Sequence, residues 1–248
     1  MDIKPHRTIA FCILHYGRPY LAAAIESVYP QVDHIVILYT AHPSQGFTPS
    51  LPCPDTEDEL RVEAAPFMDK ITWVYGNWAN ETEHIHAVRN YVGSYDWVWR
   101  FDADEITPPG MVAEMIRQAK TSDHAEYRVP FVHFWRSFNK VCRDGQMPIR
   151  LYRVLGGKGL RYLDSRDTWY VLHFGYAMPT RYIEYKLQCS GHRPEFRKDW
   201  FETKWLANCH EDVHPVMHPG HWNAVDYDKS NMPKFLKEHK YFHAGVVE

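Results

Sequence analysis

The chain has 248 residues, of which 45% are hydrophobic and 24% charged, and its formal net charge at pH 7 is −3. These values are ordinary for globular proteins and exclude a wholly disordered or fibrous chain. No apolar run reaches about 18 residues, and polar residues and a proline interrupt the start of the chain, so we expect neither a membrane span nor a secretory leader. The near-neutral charge argues mildly against a nucleic-acid clamp, because such proteins usually present a basic surface.

The five cysteines are scattered along the chain and form no C-x-x-C pair. An odd number without paired spacing is typical of reduced thiols, so the sequence predicts a cytoplasmic protein. The chain is also rich in rings, with 9 Trp, 16 Tyr, 12 Phe and 16 His. A core would use many of them, and so would a site that stacks rings on bases or sugars.

The first half of the chain alternates short apolar runs with helical periodicity. Apolar runs at 8–14 and 34–39 predict buried strands, and apolar spacings of three and four over 19–28 predict a helix between them. Strand, helix and strand in about thirty residues form a βαβ unit, so a parallel sheet is expected. The same patterns predict further strands at 71–75 and 96–101, and helices at 80–91 (Asn80 as N-cap, Glu83 three residues later) and 108–120 (prolines in its first turn).

Between these elements, residues 41–66 are rich in Pro, Ser, Thr and acidic side chains and predict a long surface loop, with a helical turn near 57–62. The second half is less regular, and no repeat or linker separates it from the first. Its patterns predict strands at 126–135, 149–154 and 170–174, and helices at 180–187 and 200–207. We therefore predict one α/β domain over residues 1–248.

The sharpest chemical signal is an acidic motif directly after the strand at 96–101. Asp102, Asp104 and Glu105 bring three carboxylates together, and these repel one another unless a cation or donors neutralise them. Ligands of open α/β sheets bind at the carboxyl ends of the strands. The two aspartates of Asp-x-Asp could share a direction and hold a hard divalent ion with open positions for phosphate oxygens. An acidic turn that caps the next helix through Asp104 or Thr107 is the structural alternative.

Several segments carry, in order, the motifs of one enzyme family. They are the strand, loop and Ser-Val helix at 9–28, Arg89-Asn90 followed by the Asp-x-Asp segment at 97–105, Ile-Arg-Leu-Tyr-Arg at 149–153, and His-Phe-Gly-Tyr at 173–176. In this the chain resembles the nucleotide-sugar glycosyltransferases of the GT-A fold, particularly the family-2-like group. The resemblance covers roughly residues 8–187. It implies a Rossmann-like, mixed, mainly parallel sheet flanked by helices, with an elaborated C-terminal half.

The resemblance also implies a reaction: metal-dependent transfer of a sugar from a nucleotide-diphosphate donor to an acceptor hydroxyl, with inversion. It makes Asp104 a direct ligand of the ion, lets Asp102 contact the ribose or reach the ion through water, and adds His173 as a ligand. Because imidazole suits manganese better than a magnesium-like site, Mn²⁺ is expected before Mg²⁺. The ion would neutralise the diphosphate leaving group. A structural, hydrogen-bonded role is the alternative for His173.

Donor contacts are implied on the loop after the first strand and at the ends of neighbouring elements. The candidate donor-binding residues are therefore Tyr16, Arg18, Tyr39, Arg89 and Asp102. The family usually carries an acidic residue just after the second strand, where this chain has Tyr39 and three further uncharged or histidine residues. The donor base is thus open. Within the predicted domain, residues 1–105 would bind the donor and residues 106–248 would face the acceptor.

An inverting transfer needs a base for the acceptor proton, and a carboxylate usually fills that role. The resemblance places it shortly before His173, where Asp167 aligns best and Asp164 is the reserve. Surface ion pairs of these aspartates with Arg161 and Arg166 are the structural alternative.

The segment 209–221 forms a second group of reactive side chains. It contains Cys209, His210, Glu211, Asp212, His214, His218 and His221. The thiol and imidazoles could form a zinc site, although prolines in the segment exclude a continuous helix and its i, i+4 geometry. The pair Glu211-Asp212 is a rival base that follows His173, in the wrong order for the family. An irregular acceptor-side loop is the plainer alternative, as is a solvated face for the basic, aromatic stretch at 229–242.

Three other functions stay open on the sequence. The same fold could glycosylate a hydroxymethylated base in DNA, which the ring-rich second half favours and the acidic charge disfavours. A zinc hydrolase could use the histidines at 210–221. A non-catalytic module would bind sugar or nucleotide without turnover. The expected partners are a nucleotide-sugar donor and an acceptor that is a glycan, a small molecule, a protein or a modified DNA base.

Overall fold

The structure, a computed structural model, describes residues 6–44, 46–142, 145, 147–163, 169–216 and 222–243. The strands are β1 (Thr8–Leu14), β2 (His34–Tyr39), β3 (Ile71–Tyr75), β4 (Trp97–Arg100), β5 (Glu105–Ile106), β6 (Glu126–Arg128), β7 (Phe131–Trp135), β8 (Lys140–Cys142), β9 (Ile149–Arg153), β10 (Leu160–Tyr162), β11 (Val171–Tyr176) and β12 (Val225–Asp226). The helices are α1 (Arg18–Val28), α2 (Glu57–Ala64), α3 (Glu81–His86), α4 (Met111–Ala119), α5 (Thr180–Cys189) and α6 (Lys234–Lys237).

The larger sheet has the order β10-β6-β9-β4-β1-β2-β3. Its strands β1 to β4 are mutually parallel, and β9 runs antiparallel to both β4 and β6. This confirms the expected mixed, mainly parallel sheet flanked by helices. The chain adds β2 and β3 on one side of β1 and then crosses to add β4 on the other. Ligands bind at such a reversal, beyond the carboxyl ends of the strands, and the acidic motif begins there.

The second sheet has the order β12-β8-β7-β11-β5 and joins the two halves of the chain. Strand β11 pairs antiparallel with β5, so that His173 faces Glu105 in register. On its other side β11 runs parallel to β7, which places His173 opposite His133. Strand pairing thus brings a histidine from the second half of the chain beside the acidic motif of the first.

The strand predicted over 126–135 is wrong as a single element. It is two strands, β6 and β7, which belong to different sheets. The division falls at Val129-Pro130. Proline has no N–H to continue a ladder and restricts the residue before it, so the chain leaves one sheet there and enters the other.

Two predicted helices differ at their ends. Helix α4 begins at Met111 with Gly110 (φ +83°) as its N-cap, so Pro108 and Pro109 precede the helix and do not form its first turn. Helix α3 ends at His86, and the chain then forms a 3₁₀ turn at Ala87–Asn90. The helix predicted over 200–207 is a π-helical stretch, Phe201–Leu206.

Helix capping also differs from the prediction. The Asn80 side chain accepts the Glu83 N–H as expected, but Glu83 accepts from the Ala79 N–H, so the pair is not reciprocal. The complete capping box joins Thr56 and Glu59 at the start of α2, inside the segment predicted as a loop.

The central strands β1, β2 and β4 of the larger sheet are buried on both faces. Along β4 and just beyond it, Trp97, Trp99 and Phe101 lie in one core cluster and Val98 in another, as the alternation predicts. The first cluster continues through both sheets to Phe242. All five cysteines are free thiols. No helix in the described part of the chain combines the length and apolarity needed to cross a membrane.

Candidate active site

A cleft of about 410 Å³ opens beyond the carboxyl ends of β1 and β4. It is lined by the loop after β1, by the acidic motif, and by residues of the second sheet and of the C-terminal part. Gly17 of the loop has φ +137°, and a Cβ on it would lie 2.5 Å from the Ala103 Cβ. Glycine is therefore needed for the loop to approach the Asp-x-Asp turn this closely.

The acidic motif is neutralised in part by Arg150 on β9. The Glu105 side chain is 2% exposed and accepts from Arg150 Nε at 2.8 Å and from its Nη2 at 2.5 Å. The same Nη2 donates to Asp102 Oδ2 at 2.9 Å, and Arg100 lies 3.5 Å from Asp102 Oδ1. Buried carboxylates need such partners, because isolated charges are costly away from water.

The two arginine-bound carboxylates respond in opposite directions. Burial by itself would raise the pKa of Asp102, but Arg100 and Arg150 outweigh it and hold that pKa below its usual value. Burial raises the pKa of Glu105, with repulsion from Asp102 and Asp104 adding to the rise against the pull of Arg150. Asp102 therefore stands ionised at the cleft, while Glu105 is a buried anchor for Arg150.

Asp104 has different surroundings. Its Oδ2 lies 3.7 Å from His173 Nε2 and 3.5 Å from Lys186 Nζ. Its carbonyl oxygen accepts the Phe174 N–H at 2.8 Å, which ties the acidic turn to β11. The carboxylate, the imidazole and the ammonium thus converge on one point of the cleft.

His173 is held by a second histidine. Its Nδ1 lies 2.7 Å from His133 Nδ1, with the two rings edge to face. Burial, followed by His133, Lys186 and Arg150, keeps the pKa of His173 well below its usual value, so the ring is neutral. The tautomer in which His173 donates from Nδ1 leaves the Nε2 lone pair directed towards Asp104, the arrangement of a metal-binding imidazole.

The donor atoms present fit a divalent ion. Asp104, Glu105 and His173 offer ligand atoms within 4.8 Å of one another, the one such group of three among the described residues. Both oxygens of Glu105 are engaged by Arg150, so the carboxylate of Asp104 and the Nε2 of His173 are the two ligand groups that this arginine does not bind. A carboxylate and an imidazole suit Mn²⁺.

The predicted donor-binding residues fall into two groups. Tyr16 and Asp102 line the cleft. Arg18 instead pairs with two glutamates of α2, Tyr39 packs against Trp73 and Tyr75, and Arg89 is exposed in the 3₁₀ turn after α3. None of these three is among the cleft-lining residues.

The predicted bases are Asp164 and Asp167, with Glu211 and Asp212 as the rival pair. Asp164 and Asp167 lie outside the described residues. Of the rival pair, Glu211 is exposed and Asp212 forms a bidentate ion pair with Arg197 at 2.6 and 2.7 Å. Neither of these two lines the cleft.

The histidines of 209–221 are dispersed where they are described. His210 is exposed, and the Cys209 thiol donates to the Glu211 carbonyl at 3.2 Å. His214 lines the cleft with its ring 4.3 Å from that of Trp222. His218 and His221 lie outside the described residues.

Several site residues were missed at the level of sequence. Asp55 is 4% exposed, accepts the N–H groups of Gly17 and Arg18 at 2.8 and 3.0 Å, and receives the Tyr182 hydroxyl. It thereby fixes the loop after β1 at the start of α1. Lys186 and His133 are also at the site. Neither spacing nor composition marks these residues, because long-range pairing alone brings them there.

His84 is a buried residue among those that line the cleft. One ring nitrogen, Nε2, lies 2.8 Å from the Leu38 carbonyl oxygen and donates to it, while Nδ1 accepts from the Ser44 hydroxyl at 2.8 Å. Its ring stacks on Trp78 at 4.1 Å. Burial lowers the pKa of His84 to about 4, so the ring is neutral and joins β2, the following loop and α3.

No family model matches the chain, and no curated protein matches it. Solved structures similar to it include a mannosyltransferase from Pyrobaculum calidifontis in complex with GDP-Man and Mn²⁺, at 12% identity and TM-score 0.42 over 61% of this chain and 45% of that one. Glucosyl-3-phosphoglycerate synthase from Mycobacterium tuberculosis, in complex with Mn²⁺, UDP and phosphoglyceric acid, is 15% identical at TM-score 0.37 over 54% and 44%. A 4-diphosphocytidyl-2C-methyl-D-erythritol synthase from Anaerococcus prevotii is 12% identical at TM-score 0.39 over 60% and 70%.

The matched region spans less than half the length of either glycosyltransferase. Solved structures similar to this chain include GT-A-type glycosyltransferases and a nucleotidyltransferase.

Proposed function

We propose that the chain is a nucleotide-sugar glycosyltransferase, which moves a sugar from a nucleoside-diphosphate donor to an acceptor hydroxyl with inversion. One observation carries this proposal: Asp104 of the Asp-x-Asp motif meets His173 in a cleft at the reversal of the parallel sheet. That is where an α/β sheet binds a nucleotide, and the pair has the chemistry of a divalent-ion site. The reducing cytoplasm is the proposed location, in line with the five free thiols.

In this proposal Asp104 and His173 hold the ion, with Mn²⁺ favoured over Mg²⁺. When bound, the ion supplies positive charge to the diphosphate as it leaves. His133 orients the His173 ring through their Nδ1 contact. Arg150 holds Asp102 at the rim of the cleft, from which its free lone pairs reach a ribose hydroxyl or a water of the ion.

The acceptor proton goes to a carboxylate base, for which Asp167 is the proposed residue and Asp164 the reserve. Glu195 is a further candidate, because it lines the cleft and its Oε1 lies 3.3 Å from His192 Nδ1. Asp167→Asn and Glu195→Gln would separate the two. The true base should lose transfer by about 10²- to 10⁴-fold while still binding the donor.

The test of the proposed function is donor binding followed by turnover. Thermal shift with UDP, GDP and their sugars, with and without Mn²⁺, should reveal the donor, since a ligand at about 100 times its Kd stabilises by about 2.7 kcal/mol. Asp104→Asn should abolish the Mn²⁺-dependent part of that shift and the release of nucleoside diphosphate.

Asp212→Asn is the matched control, because it removes an ion-paired carboxylate that lies away from the cleft. Wild-type metal-dependent binding by Asp104→Asn would refute the metal role of Asp104. Donor binding without turnover across a broad acceptor panel would instead favour the non-catalytic module.

A further inference from the structure

Lys186 is a cation built into the cleft, and the role of its charge is not explained by packing alone. It lies on α5 with its side chain 21% exposed. Its Nζ donates to the Gly175 carbonyl at 3.2 Å and faces Asp104 Oδ2 at 3.5 Å, with the Tyr176 ring centroid 5.0 Å away. The carboxylate of Asp104 is thus the charged partner that the ammonium of Lys186 faces.

The hydrogen bonding of Lys186 is incomplete compared with that of Arg150. An ammonium has three N–H donors. Within the described part of the chain Lys186 Nζ bonds to Asp104 and to Gly175, and both contacts are longer than the 2.5 to 2.9 Å contacts of Arg150 with the acidic motif. A short charge-assisted hydrogen bond needs a closer anionic oxygen. Lys186 therefore retains donor capacity for an anion that enters the cleft.

The cations of the site differ in how well they could bind an anion that enters the cleft. The three carboxylates of the motif are matched by Arg100, Arg150 and Lys186. Of these cations, Arg100 and Lys186 line the described part of the cleft. Arg100 is shared between Glu81 at 3.3 Å and Asp102 at 3.5 Å. Lys186, which faces a single carboxylate, is the cation best able to turn towards a ligand.

The space around Lys186 is kept by Gly175. A Cβ on that residue would lie 2.6 Å from Lys186 Nζ and closer still to His173 Nε2. The glycine thus lets the ammonium and the imidazole approach the same volume in front of Asp104. An ion held by Asp104 and His173 and an oxygen bound to Lys186 would be neighbours.

We propose that Lys186 is a diphosphate-binding residue of this cleft, whose ammonium moves from Asp104 to a phosphate oxygen when a nucleoside diphosphate binds. Its catalytic consequence rests on the proposed glycosyl transfer. There the bond from the anomeric carbon to the diphosphate oxygen breaks, its electron pair stays on that oxygen, and the acceptor oxygen bonds to the carbon as its proton goes to the carboxylate base. Lys186 would stabilise the charge that develops on the departing diphosphate.

A second consequence concerns the metal. Lys186 and a divalent ion are both cations in front of Asp104, so each should weaken the binding of the other while the cleft holds no anion. A diphosphate reverses this coupling, because it draws the ammonium away from Asp104 and adds ligand oxygens for the ion. Metal and diphosphate should therefore bind cooperatively.

The experiment uses inorganic pyrophosphate, which needs no knowledge of the donor base. Its Kd is measured by calorimetry in EDTA for wild type, Lys186→Met and Lys186→Arg, and the Kd of Mn²⁺ is measured without pyrophosphate. Lys186→Met should weaken pyrophosphate by about 10- to 100-fold, the value of a hydrogen bond to a charged group. The same variant should bind Mn²⁺ alone roughly three- to tenfold more tightly, and Lys186→Arg should keep pyrophosphate binding.

Lys70→Met is the matched control. Lys70 Nζ also donates to backbone carbonyls, at 2.9 and 3.1 Å, and also lies over a tyrosine ring, but it is remote from the cleft. Circular dichroism establishes that each variant is folded, and Lys186→Arg tests the charge if Lys186→Met does not fold. Pyrophosphate binding in EDTA that is unchanged in Lys186→Met, or lost in Lys186→Arg, would overturn the proposal.

These readouts are separate from the proposed function. Pyrophosphate binding requires no sugar transfer, and Asp104→Asn should lose Mn²⁺ but keep pyrophosphate in EDTA. A chain that binds pyrophosphate through Lys186 yet transfers no sugar would contradict the glycosyltransferase proposal alone. A chain that transfers sugar with Lys186→Met at the wild-type rate would contradict the role of Lys186 alone.

Discussion

At the scale of single residues, the acidic motif is three carboxylates with three different tasks. Glu105 is buried against Arg150, Asp102 shares that arginine at the rim, and Asp104 faces His173 and Lys186. An Asp-x-Asp pattern alone does not distinguish these tasks, because the partners come from β9, β11 and α5. The arginine that fixes two of the carboxylates also leaves the third available for a ligand.

Replacement of Arg150 should show how much the motif depends on it. Arg150→Met leaves Glu105 without its arginine and Asp102 with Arg100 alone, and loss of one partner from a buried ion pair costs about 3 to 5 kcal/mol. Urea unfolding should report a destabilisation of that size, and Glu105→Gln in the same chain should recover part of it. An effect of Arg150→Met below about 1 kcal/mol would show that the carboxylates find other donors.

At the scale of elements, the cleft depends on how a loop is attached to a helix. Asp55 belongs to the segment before α2, yet it accepts the N–H groups of Gly17 and Arg18 at the start of α1. It therefore satisfies two of the donors that a helix leaves open at its first turn and places a negative charge at the positive end of the helix dipole.

Asp55→Ala should consequently uncap α1. We expect a destabilisation of about 2 kcal/mol, the upper end for a helix cap, since buried N–H groups lose their acceptor. Nucleotide binding should weaken as well, because Tyr16 and Gly17 line the cleft. Thr56→Ala, which removes the more exposed cap of α2, is the control and should cost about 1 kcal/mol without affecting nucleotide binding. Equal effects of the two changes on binding would contradict a specific role for Asp55.

Local pattern was sufficient for some elements and insufficient for others. Strands β1, β2 and β3 have the predicted bounds. For β1 and β2 the reason is that an apolar run buried on both faces of a parallel sheet has few alternatives. The break at Pro130 was missed, since the apolar pattern continues across it while the chain changes sheets. The Asp104–His173 pair was predicted only through a family resemblance. His133 and Lys186 were not predicted, because the pairing of β11 with β7 brings the first to the site and the packing of α5 brings the second, and sequence spacing contains neither.

At the scale of the whole molecule, both halves of the chain contribute residues to one hydrophobic core cluster. The larger core cluster includes residues of β1 and α1, of both sheets, and of the C-terminal part up to Phe242. A donor half at 1–105 and an acceptor half at 106–248 remain a prediction, and this continuous core supports a cleft whose two walls fold together. The single domain over residues 1–248 also remains a prediction.

Acid should lower the stability of the whole fold through its buried neutral histidines. For His84, burial lowers the pKa to about 4, whereas an unfolded histidine titrates near 6.5. Below about pH 6.5 His84 binds a proton in the unfolded chain, whereas in the folded chain it stays neutral until about pH 4. The contribution of His84 is therefore complete above pH 6.5 and is lost as the pH falls towards 4, by roughly 3 kcal/mol at most.

His84→Gln tests this, since glutamine can replace the two hydrogen bonds but takes up no proton. The variant will be less stable than wild type at pH 7, because the stack on Trp78 is lost. Its free energy of unfolding in urea should nevertheless fall by roughly 2 to 3 kcal/mol less than that of wild type between pH 7 and pH 4.5. His86→Gln, at an exposed position one residue after Ile85, should follow the wild-type curve. If the His84→Gln curve runs parallel to wild type, the acid sensitivity must come from other groups.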